Sequence, residues 1–341
     1  PKNYHYRSSN TKDVVEGMRD LVKSSKKYLK NLKSKNVLDI GCNDGTLLSL
    51  FKKEGCKTFG VEPTKAAIEA KKKGHVIFKE YFDKNSSKNI RKKIGNIDII
   101  TFTNVFAHIE DLEDLLFSLK AISNKNTLII IENHYLGEVI KKTQFDTFYH
   151  EHPRTYSLKS FVNISKKINI GLIDFKFVKR YNGNIRVYLK NSGKIYKSKT
   201  KINQSLRLEK LEIDKIKTFQ KKVNIWKLNK KKQIEKINKK FGPLPAKAFP
   251  GRASISINLL SLNSNHISKV YEKNSSLKVN KYIPGTDIKI LKEKYFKVKQ
   301  YDKGILINLA WHISDEINNY LRQKMRFKGK IIDIISNSDF K

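Results

Sequence analysis

Between Asn36 and Glu132 the chain repeats one phrase: a short aliphatic or β-branched run, a turn, then an amphipathic stretch. The runs are Val37–Ile40, Thr58–Val61, Val76–Phe78, Ile97–Thr101 and Leu128–Ile131. None shows the strict apolar–polar alternation of a strand with one wet face, so each is expected to be buried on both faces. Strands of that kind sit in parallel sheets, and parallel neighbours need a crossover connection, which the amphipathic stretches supply as helices. The expected fold is therefore α/β, with a Rossmann-like parallel sheet.

The flanks have a different texture. Residues 12–34 predict a lysine-rich helix with Val15, Met18, Leu21 and Val22 at helical spacing. Phe175–Leu189 reads as paired strands around a turn at Asn182-Gly183, and residues 203–240 as one long basic helix. Phe219, Val223, Trp226, Ile234, Ile237 and Phe241 form its apolar stripe, and Gly242-Pro243-Leu244-Pro245 ends it. The expected organisation is an N-terminal arm and helix over 1–35, a first domain over 36–153, and a second α/β domain over 154–341.

The net charge of +39 invites a nucleic-acid reading, but 61 of the 71 basic residues are lysine and 10 are arginine. Sites that read phosphates and bases lean on the planar fork of arginine, so a lysine excess spread over the surface is expected to bind no specific nucleic acid. It would still draw in an acidic small substrate. Two cysteines exclude a disulfide framework and an all-cysteine zinc site within this stretch, and no metal is expected. No apolar run reaches the ~18 residues of a membrane span, and the start lacks a signal-peptide core, so a soluble cytoplasmic protein is expected.

Val37-Leu38-Asp39-Ile40-Gly41-Cys42-Asn43-Asp44-Gly45-Thr46-Leu47-Leu48 reads as strand, tight turn and helix. Gly41 and Gly45 let the backbone pass close to a ligand, and the amides that open the helix favour an electron-rich group. A dinucleotide site would have G-x-G-x-x-G; here the spacing is G-x-x-x-G, with Asp39 before it and Asn43-Asp44 inside. Glu62 ends the next strand, where an acid can bond both hydroxyls of a ribose. Together these features resemble class I S-adenosylmethionine-dependent methyltransferases. The resemblance implies S-adenosylmethionine as cofactor, with Asp39, Gly41, Asn43, Asp44, Gly45 and Glu62 as its contacts. Asn104 and His108 follow the fourth run, at the sheet edge where such folds bind ligands, and are expected to face the methyl donor. Cys42 is read as small turn packing.

Phe145-Asp146-Thr147-Phe148-Tyr149-His150-Glu151-His152 sets a phenol, two imidazoles and carboxylates side by side. With Tyr4–Ser9, the Asp39–Leu48 turn, Asn104–His108, Gly183 with Arg186, Tyr282–Thr286 and Leu309–Trp311, it resembles the sugar C-methyltransferases. These methylate a carbon beside the keto group of a nucleotide-linked deoxysugar. Such a carbon is not nucleophilic until a base removes its alpha proton, and histidine is suited to that step near neutral pH. The developing oxyanion needs a donor such as a phenol, and a carboxylate can orient the imidazole. The resemblance implies His152 as base, Glu151 and Tyr149 as partners, Tyr6 as a further acid/base or substrate contact and Tyr4 as its substitute. It implies substrate contacts at Gly183 and Arg186, and a structural His150.

The chain departs from that family in two ways. The family's opening cysteine-rich zinc module is not found in this sequence, which begins at Pro1. Its His-Gly-Gly-Ser-x-Arg pattern stands as Tyr181-Asn182-Gly183-Asn184-Ile185-Arg186, and its Gly-Ala-Ser-Ala-Arg-Gly loop as Gly251–Ser256. Alternatives are an O- or N-methyltransferase of another small acceptor, and a basic nucleic-acid-binding protein.

Overall fold

The structure, a computed structural model, describes residues 7–10, 12–180, 183–191, 199–298 and 304–340. They form two compact units: the first takes the chain up to Glu138 and His150–Ile213, the second Val139–Tyr149 and the chain from Asp214.

The first unit is built on seven strands: β1 (Asn36–Ile40), β2 (Lys57–Val61), β3 (Val76–Phe78), β4 (Ile99–Thr103), β5 (Leu128–His134), β6 (Leu172–Val178) and β7 (Asn184–Leu189). Their order is β3-β2-β1-β4-β5-β7-β6, parallel except for β7, which runs antiparallel to both neighbours. The order reverses between β1 and β4, which opens a crevice outside their carboxyl ends. Both faces are covered, as the uninterrupted apolar runs require. Helices α1 (Lys12–Leu29) and α2 (Thr46–Lys53) pack Val14, Met18, Leu21, Leu47 and Phe51 against Val37, Ile99 and Ile130. α3 (Ala66–Lys72) adds Ala67 and Ala70 to the same cluster. On the other face α4 (Lys84–Ile94), α5 (Leu112–Ile122) and α7 (Leu158–Ile168) set Ile90, Leu115, Leu119, Phe161 and Ile164 against Leu38, Ile100, Phe102 and Ile129; α6 (Leu136–Lys141) follows β5 in the chain.

Several boundaries differ from expectation. The first helix stops at Leu29 because Lys30 turns left-handed at φ 56, and Val14 rather than Val15 is its buried residue. The fourth strand begins at Ile99, two residues late. The Phe175–Leu189 hairpin forms, but β6 and β7 complete the first sheet instead of opening the second domain at residue 154.

The expected single helix over 203–240 is two, α8 (Lys199–Asp214) and α9 (Ile216–Phe241), broken at Lys215. Glu209 explains why α8 stays with the first unit: its buried carboxylate accepts from the amides of Leu158 (2.5 Å) and Lys159 (2.9 Å), capping α7. In α9 the stripe buries Val223, Trp226 and Ile234, whereas Phe241, expected to continue it, is exposed.

The second unit holds β8 (Leu244–Lys247), β9 (Ile267–Glu272), β10 (Ile290–Lys292), β11 (Ile305–Asn308) and β12 (Lys330–Asp333), all parallel in the order β10-β9-β8-β11-β12. Among the described residues no helix is long and apolar enough to cross a membrane.

Candidate active site

The glycine turn leaves β1 at its carboxyl end and runs into α2. Gly41 has φ +70 and Gly45 φ +74, torsions that side chains resist. A Cβ at Gly41 would lie 2.5 Å from Val105 Cγ2, so the loop after β4 packs directly on the turn. Two side chains expected to touch cofactor also hold the turn together. Glu62, buried, accepts from the backbone N of Asn43 and of Thr64, each at 2.9 Å. Asp44, fully buried, accepts from Thr46 Oγ1 (2.6 Å) and from the backbone N of Ser9 (3.2 Å). Burial alone would raise the Asp44 carboxyl, but the Ser9 and Thr46 bonds and the Lys73 ammonium hold it below the usual carboxylate range. Asn43 Oδ1 accepts from the backbone N of Ser8 at 3.1 Å, so the Ser8-Ser9 end of the N-terminal arm is bonded onto the turn. Tyr4 and Tyr6, expected at the site entrance, lie outside the described residues.

Asp39 sits deeper than a ligand contact. It is 2% exposed and accepts from Thr101 Oγ1 of β4 at 2.6 Å. Burial pushes its pKa up to about 7, against the Thr101 bond and with help from the Glu62 charge. Its position is a buried tie between β1 and β4.

The carboxyl edge of β4 and β5 is where chemistry collects. His108 Nδ1 lies 2.5 Å from the backbone carbonyl of Glu151, and its ring centroid is 4.7 Å from that of His152. His134, the last residue of β5, brings a third imidazole to 5.6 Å from His152. Burial lowers the His108 pKa against the opposing pull of Glu151. A neutral His108 donating Nδ1–H to a carbonyl leaves Nε2 as an acceptor and adds no positive charge beside His152. Glu151 and His152 are half-buried, as is Tyr149, and His150 is exposed. Sequence reasoning missed His134 because it ended the strand at Ile131; the signal was the polar tail Glu132-Asn133-His134 on an otherwise apolar run.

Arg186 and Gly183, expected to hold substrate, have structural partners instead. Arg186 is 1% exposed and donates through Nε to Glu132 Oε2 (2.7 Å). Its Nη1 reaches Asp20 (2.8 Å) and Ser24 (3.2 Å), and its Nη2 the carbonyl of Gly17 (3.1 Å). That ties α1 to the sheet and leaves little of the guanidinium for a ligand. Gly183, at φ +136, donates to the carbonyl of Arg180 and accepts from the Tyr135 amide, closing the turn into β7. Arg252 in the altered 251–256 loop is likewise occupied: it grips Asp146 through Nε (2.8 Å) and Nη2 (2.5 Å), and Trp311 Nε1 donates to the same carboxylate at 2.8 Å.

Two family models match. A methyltransferase domain matches residues 14–173, and a C-methyltransferase C-terminal domain matches 180–335. The chain thus carries a methyltransferase domain followed by a C-methyltransferase C-terminal domain. C-methyltransferase NovU from Streptomyces niveus is 27% identical over 186 residues, 54% of this chain, and the match spans only 44% of that protein's length. Among solved structures, magnesium protoporphyrin IX methyltransferase from Synechocystis with bound SAH is 14% identical, with a TM-score of 0.42. It covers 52% of this chain and 84% of its own. A SAM-dependent methyltransferase from Archaeoglobus fulgidus is 17% identical, with a TM-score of 0.40, covering 50% and 94%.

The described residues fit the cofactor of this family. Buried side-chain atoms without a hydrogen-bond partner gather at the carboxyl edge of the sheet: Thr103 Oγ1, Asn104 Nδ2, both amide atoms of Asn133, and Asn184 Oδ1. Buried polar atoms left unpaired cost about 1–3 kcal/mol each, and a cluster of them beside a ligand-binding turn suits a polar ligand. Among the described residues no group of His, Cys, Asp or Glu is arranged to hold a metal ion.

Proposed function

We propose that this chain methylates a carbon alpha to the keto group of a nucleotide-activated deoxysugar, with His152 as the base. The observation that supports the reading is the approach of both His108 and His134 to His152, with His108 bonded to the Glu151 carbonyl. S-adenosylmethionine, held by the turn around Gly41–Gly45 and by Glu62, supplies an electrophilic sulfonium methyl when bound. His152 removes the alpha proton, with the His108 imidazole beside it. Tyr149 is the donor to the developing oxyanion, and Glu151 supports the protonated imidazole. Positioning the acceptor carbon against the bound donor would supply much of the acceleration. Arg186 and Gly183 support the reading only indirectly, by building the sheet edge.

Mass spectrometry of a panel of nucleotide-linked keto-sugars, incubated with the protein and a methyl-labelled donor, tests this reading. The expected result is a labelled methyl group on carbon, lost in His152→Asn. Label on oxygen or nitrogen, or turnover that survives His152→Asn, would replace it with methylation of another small acceptor.

A further inference from the structure

Glu132 is a buried carboxylate in β5, 0% exposed, clamped by Arg186 at 2.7 Å and by Arg180 Nη1 at 3.3 Å. Asn184, at the start of β7, reaches the same carboxylate: its Nδ2 lies 3.3 Å from Glu132 Oε1 and 3.0 Å from Asn104 Oδ1. The two ends of an amide are nearly alike in shape, so partners decide which way it faces. An ionised carboxylate accepts only, so the Asn184 NH2 must face Glu132. That NH2 is then also what Asn104 meets, so Asn104 must turn its oxygen toward Asn184 and its own NH2 away. Among the described residues the buried Asn104 Nδ2 has no partner, and neither has Asn184 Oδ1. Asn104 itself is pinned, with φ +54 and its backbone N donating to the carbonyl of Glu132 at 2.8 Å. Its neighbour Val105 packs on Gly41 of the glycine turn.

From this we infer that Glu132 and Asn184 are positioning residues, which fix Asn104 as a hydrogen-bond donor to the carboxylate of the methyl donor. The inference rests on the binding of S-adenosylmethionine at the turn. The carboxylate is the strongest acceptor on the amino-acid end of that molecule, and a preset donor meets it without the entropy of turning an amide on binding. The asparagine at 184 gives two N–H groups to two acceptors at once, which a serine, the residue of the family pattern, cannot do with its single proton.

The test is calorimetric binding of two probes to the full chain: S-adenosylhomocysteine, which keeps the carboxylate, and methylthioadenosine, which lacks it. Asn104→Ala and Asn184→Ala are each expected to weaken S-adenosylhomocysteine about tenfold and to leave methylthioadenosine unchanged. The double variant is expected to be no weaker than Asn104→Ala alone, because both remove one interaction. Should Asn184→Ala lose its fold by circular dichroism, Asn184→Ser carries the same comparison. Equal weakening of both probes, or fold-changes that multiply in the double variant, would overturn the inference. Failure of the unaltered chain to bind either probe would overturn the donor-binding reading beneath it, and the inference with it.

Discussion

Arg186→Met separates two meanings of one residue, a substrate contact or an internal tie. The guanidinium is 1% exposed and meets Glu132, itself 0% exposed, at 2.7 Å. Methionine nearly fills the side-chain volume, so the cavity term is small and the electrostatic term decides. Breaking a buried ion pair costs about 3–5 kcal/mol, because one charge stays behind in a dry site. Arg180 and Asn184 still bond Glu132 after the change, which places the loss near the lower end, about 3 kcal/mol. Asp20, with its side chain 48% exposed, adds less than about 1 kcal/mol. For a unit of this size each kcal/mol moves the melting temperature by about 2–4 °C, giving a drop of about 6–12 °C. Differential scanning calorimetry of both proteins measures it, with Asp20→Asn as the near-neutral control. A melting temperature within about 2 °C of the unaltered chain, with a raised KM for the acceptor, would refute the structural assignment and restore the substrate contact.

Two further tests address the turn and the buried titratable groups. Gly41→Ala sets a Cβ 2.5 Å from Val105 at φ +70, whereas Gly95→Ala imposes a similar torsion, φ +75, with nothing within 4 Å. S-adenosylhomocysteine affinity is expected to fall at least about tenfold in the first and to hold in the second, since torsional strain alone costs only about 1–2 kcal/mol; equal loss in both would contradict the close approach. Asp39, pushed from 3.8 up to about 7, holds a proton when folded, so its contribution is full at low pH and fades as pH rises from about 4 to 7. His75, lowered from 6.5 to about 4 by burial, then by Lys52 and Lys73, contributes above pH 6.5 and fades as pH falls toward 4. The two slopes oppose each other over that window. Asp39→Asn is therefore expected to unmask a melting temperature that climbs from pH 4.5 to 6.5, and a profile parallel to the unaltered chain would refute the coupling.

The first sheet was legible because its strands carry no polar alternation, so apolar runs alone locate β1, β2 and β3. The strands that complete it were harder to place. β7 and β6 follow a long connection after the parallel core, and a hairpin pattern says nothing about which sheet it joins. The glycine turn was legible from spacing, yet the partners of Glu62, Asp44 and Asp39 were not, because contacts with Asn43, Ser9 and Thr101 depend on chain crossings. The partners of Arg186 were hidden for the same reason: a buried arginine and a substrate-holding arginine look alike until Glu132 and Asp20 are seen beside it. The Phe145–His152 run was read as one cluster, but its residues have separate duties. Asp146 is bonded to Arg252 and Trp311 within the second unit, and His152 lies beside the imidazoles of the first.

The central claim is that His152 makes a carbon nucleophile. Nuclear magnetic resonance of a nucleotide-linked keto-sugar in heavy water, with the protein present and the methyl donor withheld, follows the alpha proton itself. That proton is expected to exchange for deuterium with the unaltered chain and not with His152→Asn, while both still bind S-adenosylhomocysteine. Exchange that persists in His152→Asn, or no exchange from an unaltered protein that methylates the same sugar, would contradict it.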